Sequence, residues 1–282
     1  MVGATGWIGS AVCRAGLARG REVVGVGRAA RRRDPGFVAL DALDDLLAER
    51  ACTVVNAAGA ATGDPAHLAA ANVTLAAQVA DACERAGAPL LSLGSAAEYG
   101  PPTADRVAET HPEAPVSDYG RSKLAATRDL RARREAGAAT TVARVFNLLG
   151  PGRPGTDPVQ EFAAAVRALP PEGGEVRPWD SSLVRDYSSL AWTADRLVDL
   201  ADHAGREAVV NVCSGRGLSF RELIEAMAVV RGVAVTIVDT RPGGLPRVVG
   251  DPSLLHALVG PAPVEDVLEL ARIALDAQGP RP

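Results

Sequence analysis

Short apolar runs alternate with helical periodicity through the first half of the chain. Val23-Val24-Gly25-Val26, Thr53-Val54-Val55-Asn56 and Leu90-Leu91-Ser92-Leu93 read as buried strands. Thr140 to Phe146 makes a fourth, rich in β-branched residues. Between them the pattern predicts helices over Trp7 to Ala18, Pro65 to Arg85 and Asp118 to Arg134. Asp64-Pro65 has the form of a helix start, an N-cap side chain followed by proline in the first turn. Continuous apolar strands separated by helices need cover on both faces. The expected fold is therefore α/β, a doubly wound parallel sheet of right-handed βαβ units.

The character changes after Gly150. Pro151, Pro154, Pro158, Pro170, Pro171 and Pro178 punctuate a segment that cannot be a regular βα repeat, although Val159 to Leu169 reads as a helix within it. Strand and helix patterns resume near Asp186 to Asp202 and Val209 to Val212, and Ser219-Phe-Arg-Glu222 has capping-box spacing. These shifts predict a main domain over 1–150, rejoined by about 184–213. A smaller, discontinuous C-terminal lobe would be woven from 151–183 and 214–282.

With 282 residues, 47% of them hydrophobic and 23% charged, the chain can bury a sizeable core. A net charge of −4 argues against nucleic acid as a partner, and the local run Arg31-Arg32-Arg33 suits a small anion better than a polyanion. No apolar stretch approaches the ~20 residues of a membrane span and no signal-peptide pattern opens the chain, so a cytoplasmic protein without a membrane partner is expected. Cys13, Cys52, Cys83 and Cys213 lack metal or disulfide spacing and read as small core residues in a reducing compartment; no metal site is expected.

Two features carry chemistry. Gly3-Ala-Thr5-Gly6-Trp7-Ile8-Gly9 places three glycines at a spacing of three and runs directly into a helix. Such a turn lets the main chain approach a pyrophosphate, which the helix N-terminus then stabilises, so a Rossmann-type dinucleotide site is expected here. The strand end at Gly27-Arg28 lacks the acidic residue that would hold a ribose 2′-hydroxyl; Arg28 suits a 2′-phosphate, which favours NADP(H) over NAD(H). Asp41, followed by Ala42, is placed to receive the adenine amine. Only Met1 and Val2 remain for the central strand before Gly3, so the natural start is expected to lie upstream.

The second feature is Lys123, the only lysine among 30 basic residues, four positions after Tyr119. Where charge alone matters, arginine has replaced lysine throughout the chain. A surviving lysine points to a compact ammonium that arginine's planar fork cannot imitate. An ammonium beside a phenol favours the phenolate and brings the ordinary tyrosine pKa of ~10 toward neutrality.

With both motifs in place, the chain resembles the extended short-chain dehydrogenase/reductase family, the nucleotide-sugar epimerases, dehydratases and reductases. Asn56-Ala57-Ala58-Gly59 resembles the stretch after the family's fourth strand, Asn72-Val-Thr its mid-helix asparagine, Ser95-Ala96-Ala-Glu-Tyr99-Gly100 its catalytic serine segment, and Tyr119 with Lys123 its Y-x-x-x-K pair. The resemblance implies that Ser95, Tyr119 and Lys123 are catalytic, with Lys123 also bonding the nicotinamide ribose. It further implies that Gly3, Thr5, Gly6, Trp7, Ile8, Gly9, Ala57 and Ala58 hold the cofactor, together with Tyr119 and Lys123. Arg144-Val-Phe-Asn147, Leu183-Val-Arg185-Asp186-Tyr187 and Thr240-Arg241-Pro-Gly resemble segments that meet the substrate diphosphate. They make a nucleoside-diphosphate sugar the expected substrate, bound by Asn147, Arg185 and Arg241 beside Ser95 and Ala96. A homodimer through helices including Asp118 to Arg134 is implied as well.

Departures narrow the reaction. Ala96 and Ala97 stand where the family's dehydratases carry Asp-Glu, and Ala97 also replaces the cysteine of its epimerase-reductases. Ser189-Leu190-Ala191-Trp192 and Gly244 depart from the family's pattern near the sugar and base. The expected activity is an NADPH-dependent reduction of a 4-keto deoxysugar nucleotide. The alternatives are a 4-epimerase, a reductase of a non-sugar natural-product carbonyl and a non-catalytic NADP sensor.

Overall fold

The structure is a computed structural model, and it describes residues 1–27, 37–152, 157–241 and 243–276. Helix α1 (Trp7–Ala18) starts directly after Gly6 and leads to strands β1 (Gly25–Gly27) and β2 (Phe37–Ala39). After α2 (Leu43–Glu49) come β3 (Val54–Asn56), α3 (Pro65–Leu68), α4 (Leu75–Ala86), β4 (Leu90–Ser95), α5 (Asp118–Glu135) and β5 (Thr140–Val145). The pairings β1–β2, β3–β4 and β4–β5 are all parallel, and β5 pairs in the same sense with a later strand, Val209–Val212. Val2 bridges Val26 on one side and Asn56 on the other, so the first residues take the central place between β1 and β3. β1 begins at Gly25, two residues later than its apolar run, and the Met1 ammonium donates to Val24 O at 2.7 Å. A groove of about 520 Å³ lies beside Met1, between residues 21–24 and 50–54.

The caps follow the sequence closely. Asp64 accepts from His67 N at 2.8 Å, and Ser117 accepts from Gly120 N at 3.0 Å, which fixes where α3 and α5 begin. Gly87 ends α4 in the left-handed conformation that favours glycine. The helix expected over Pro65 to Arg85 is interrupted by a π turn at Ala69–Thr74. Asn72 lies in that turn, its buried amide donating to Ala60 O and Ser122 Oγ, both at 2.9 Å, while Ala60 N returns a bond to its oxygen at 2.9 Å. These bonds offset the cost of the irregular turn and tie the loop after β3 to α5.

The remaining elements are β6 (Asn147–Leu149), α6 (Pro158–Ala168), β7 (Gly174–Val176), β8 (Val184–Ser189), α7 (Leu190–Ala201), β9 (Val209–Val212), β10 (Gly217–Ser219), α8 (Phe220–Arg231), β11 (Val235–Ile237), β12 (Arg247–Val248), α9 (Ser253–Val259) and α10 (Val267–Asp276). β8 is the hub of a small mixed sheet, parallel to β6 and β12 and antiparallel to β10. Leu190 to Leu200 and Val210 to Val212 pack with α1, β4 and β5 on one face of the main sheet, while Leu43, Leu47, Val79 and Leu130 cover the other. A separate core of Phe162, Val166, Leu223, Ile224, Met227 and Leu270 joins α6, α8 and α10. Cys83 and Cys213 are core residues as expected, but Cys52 is exposed, in the coil that precedes β3. No helix among the described residues is long and apolar enough to cross a membrane.

Candidate active site

A cleft of about 660 Å³ opens at the carboxyl edge of the main sheet, the edge where doubly wound folds bind ligands. Gly6, Trp7 and Ile8 form one side with Ala57 to Ala61; Ser95, Ala96, Ala97, Tyr119 and Lys123 form its floor; Phe146, Asn147, Arg185, Leu245 and Val248 face them. Residues far apart in sequence therefore meet here because β3, β4 and β5 all end at this edge.

The glycine turn is tight for a geometric reason. A Cβ on Gly9 would lie 2.1 Å from Gly3 O, and one on Gly3 would lie 2.7 Å from Ala58 N. Gly3 also has φ +76°, a conformation suited to glycine. At the start of α1, Gly6 supplies no side-chain cap, and no acidic residue occupies the first turn. The helix thus presents its first N–H groups and the positive end of its dipole without a competing carboxylate. Trp7 Nε1 donates to Pro151 O at 2.7 Å, so the turn is also tied to the segment that leaves the main sheet. Close main chain, small neighbours and an anion-seeking helix end fit the pyrophosphate of a dinucleotide.

On the floor, Ser95 ends β4 and opens a short 3₁₀ turn, where its Oγ accepts from Ala97 N at 3.2 Å. α5 packs against that turn at Gly120, where a Cβ would sit 2.5 Å from Ala97 O. This close approach brings the first turns of α5, with Tyr119 and Lys123, to the cleft. Lys123 is buried, and its Nζ donates to Leu93 O. Burial pushes the Lys123 pKa below its ordinary value, with the negative charge of Glu98 acting in the opposite sense.

The far wall is held by Asp186. Its buried carboxylate accepts from Ser214 N (2.9 Å), Ser214 Oγ (2.6 Å), Gly215 N (2.9 Å) and Gly250 N (3.2 Å). Burial raises its pKa to about 6, with these bonds pulling the other way. Asn147 Nδ2 donates to Asp186 O at 3.0 Å, and Arg185 Nη1 donates to Leu245 O at 2.8 Å. The carboxylate therefore fixes the strand from which Arg185 projects.

The structure brings together Gly6, Trp7, Ile8, Ala57, Ala58, Ser95, Ala96, Tyr119, Lys123, Asn147 and Arg185. Gly3 and Gly9 shape the turn from behind, and Thr5 is exposed beside it. Asp41 and Ala42 lie in a 3₁₀ turn after β2, outside the lining of the cleft, with Asp41 exposed. Arg241 is also exposed and outside it, its main-chain N–H bonded to Trp179 O at 2.9 Å. Arg28 falls outside the described residues. Among the described residues no group of acidic, His and Cys side chains could hold a metal ion.

Sequence reasoning missed a buried polar network under Ser95. Glu98 accepts from Ser95 N (2.8 Å), Thr127 Oγ1 (2.8 Å) and Arg144 Nε (2.7 Å), and Arg144 also pairs with Glu113. Two signals were present. Ser95-x-x-Glu98 has capping-box spacing, and Arg144 stands inside an otherwise uncharged buried strand, where a charge demands a partner.

The profile of the NAD dependent epimerase/dehydratase family matches residues 1–213. A dTDP-6-deoxy-L-talose 4-dehydrogenase (NAD(P)(+)) from Kitasatospora kifunensis is 34% identical over 85% of this chain and 80% of its own length. A probable UDP-arabinose 4-epimerase 1 from rice (Oryza sativa subsp. japonica) is 29% identical over 66% of this chain; the match spans only half of that longer protein. Among solved structures, RMD from Pseudomonas aeruginosa complexed with NADPH superposes with a TM-score of 0.77 at 26% identity, covering 97% of this chain and 96% of that one. Glycine turn, Y-x-x-x-K pair and carboxyl-edge cleft thus occur in a chain three-quarters covered by one family's profile: the protein belongs to the NAD dependent epimerase/dehydratase family, the extended short-chain dehydrogenase/reductases that work with a nicotinamide cofactor.

Proposed function

We propose that the protein is an NADPH-dependent ketoreductase acting on the 4-keto group of a nucleotide-activated deoxysugar. One observation carries the reading: Ser95, Tyr119 and Lys123 share a cleft with the glycine turn, while Ala96 and Ala97 add no ionisable group beside them. Elimination of water would need such a group; carbonyl reduction needs only one proton donor.

When bound, the nicotinamide ring supplies a hydride to the keto carbon. The protein's residues do the rest. The Ser95 hydroxyl, already accepting from Ala97 N, directs its own proton to the keto oxygen and orients it. Tyr119 gives its phenolic proton to that oxygen, completing the alcohol. The Lys123 ammonium stabilises the phenolate that remains, which lowers the cost of the transfer. On the far wall, Arg185 and Asn147 offer N–H donors to a diphosphate. The apolar Phe146, Leu245 and Val248 suit a sugar carbon that has lost its hydroxyl.

The Kitasatospora relative supports the substrate class and the position. Its name describes oxidation at C4 of a 6-deoxysugar nucleotide, the reverse of the reduction proposed here. Preference for NADPH rests on Arg28, which follows Gly27 in sequence with no acidic residue at the strand end. Arg28→Ala is expected to weaken NADPH far more than NADH. A second reading, 4-epimerisation, is favoured by the rice relative and would use the same three residues to oxidise and re-reduce one carbon. Incubation with NADPH and a nucleoside-diphosphate 4-keto-6-deoxyhexose separates the two: net NADPH consumption supports reduction, and isomerisation without it supports epimerisation.

A further inference from the structure

Glu98 is fully buried, yet its carboxylate is bonded to three separate elements around the candidate catalytic residues. It holds the end of β4 through Ser95 N, α5 through Thr127 Oγ1 and β5 through Arg144 Nε. Gly94 provides the room, since a Cβ there would meet Glu98 Oε1 at 2.7 Å. Tyr119, Lys123 and Thr127 are spaced by four, so one face of α5 carries the phenol, the ammonium and the hydroxyl that grips Glu98.

Among the described residues, few charges surround this point. Lys123 of α5 and Arg144 of β5 are the buried cations. Glu98, the largely buried Glu113 and the half-buried Glu109 are the anions, the last two preceding α5; Glu113 is shared with Arg131 at 2.9 Å and Arg128 at 3.7 Å. The Arg144 guanidinium lies 4.4 Å from the Tyr99 ring centroid, with Tyr99 OH donating to Asn211 Oδ1 at 2.7 Å and Glu109 accepting from Asn211 N at 2.8 Å. Tyr119 completes the set at the cleft. Without Glu98, Arg144 would keep Glu113, already claimed by α5 arginines, and Glu109, while Lys123 would lose the carboxylate that acts on it. A cap for a short turn needs no fully buried charge; a counter-ion for a buried lysine does.

We propose that Glu98 is a positioning residue: it fixes the Ser95 main chain against α5 and β5, and it is the counter-charge that keeps Lys123 an ammonium. The inference rests on Ser95, Tyr119 and Lys123 being the reacting set, but its main test needs no turnover. Lys123 is the only lysine in the chain, so protein labelled with [13C]lysine gives a single side-chain NMR signal for it. Glu98→Gln keeps the size and an acceptor for Ser95 N while removing the charge. Its Lys123 signal is expected to titrate at lower pH than in the unaltered protein. Thr127→Val, which loses a hydrogen bond and no charge, is expected to leave that midpoint in place.

An unchanged midpoint in Glu98→Gln, or an equal fall in Thr127→Val, overturns the proposal. Should the Gln variant fail to fold, Glu98→Asp carries the same test. Withdrawing the carboxylate by one methylene is expected to lower the midpoint by a smaller amount, and an unchanged or raised midpoint overturns the idea. Turnover then separates this inference from the functional reading. Glu98→Gln is expected to lower kcat about 10-fold or more, by misplacing Ser95, and to move the alkaline limb of the rate profile to lower pH. A shifted NMR midpoint with unaltered turnover would retain the electrostatic link and overturn the positioning of Ser95 by Glu98.

Discussion

The two walls of the cleft are made differently. Apart from Trp7 and Ile8, the wall of Gly6 to Ile8 and Ala57 to Ala61 is main chain and small side chains, shaped by approaches so close that a single Cβ at Gly9 would strike Gly3 O at 2.1 Å. The facing wall of Phe146, Asn147, Arg185, Leu245 and Val248 consists of side chains from three separated segments, held together through Asp186 and β8. A wall built from backbone suits a constant ligand, because its shape survives few substitutions. A wall built from side chains can be altered one residue at a time. Under the proposed function the first would hold the cofactor and the second would set the choice of substrate.

The comparison breaks if damage to one wall fails to stay there. The largest effect is expected from Gly9→Val, whose side chain has no space: NADPH binding, read by calorimetry, should fall by about 100-fold or more, about 2.7 kcal/mol. Tyr119→Phe, between the walls, should lower kcat by about 10²- to 10⁴-fold with NADPH affinity nearly unchanged; equal losses in both would place Tyr119 in binding. Asp186→Asn sets an amide donor against main-chain N–H groups and should cost about 2–3 kcal/mol, seen as a lower Tm, with weaker substrate binding. Cofactor binding measured well below that Tm should survive.

Smaller effects sharpen the picture. Burial depresses the Lys123 pKa, so as pH rises the ammonium is lost before an ordinary lysine with a value of 10.5 would lose it. The reduction rate should accordingly fall on the alkaline side below pH 10.5, and a profile flat through that range would detach Lys123 from the reaction. Leu245→Ser should shift preference from deoxy toward hydroxylated substrates by about 10-fold in kcat/KM while leaving the KM for NADPH alone.

The backbone-built wall was legible in sequence because its determinants are local. The bounds of α1 and β9 match the apolar pattern, and Asp64 and Ser219 cap the helices their spacing predicts. Tyr119 and Lys123 were legible because one helix carries both. The side-chain wall was less so, since motif resemblance cannot report which way a turn faces. Asn147 and Arg185 reach the cleft from β6 and β8, whereas Arg241, in a turn bonded to Trp179 O, stays outside it. The contact between Glu98 and Arg144 escaped notice because it depends on two strands lying side by side, which neither residue signals alone.

The proposed activity is net reduction at a carbonyl with Tyr119 as proton donor. Its most direct test is to mix the purified protein with NADPH and a nucleoside-diphosphate 4-keto-6-deoxyhexose and measure cofactor consumed against alcohol formed. One equivalent of each, with turnover abolished in Tyr119→Phe, is the expected result. Isomerised sugar without net loss of NADPH, or full turnover in Tyr119→Phe, would contradict it.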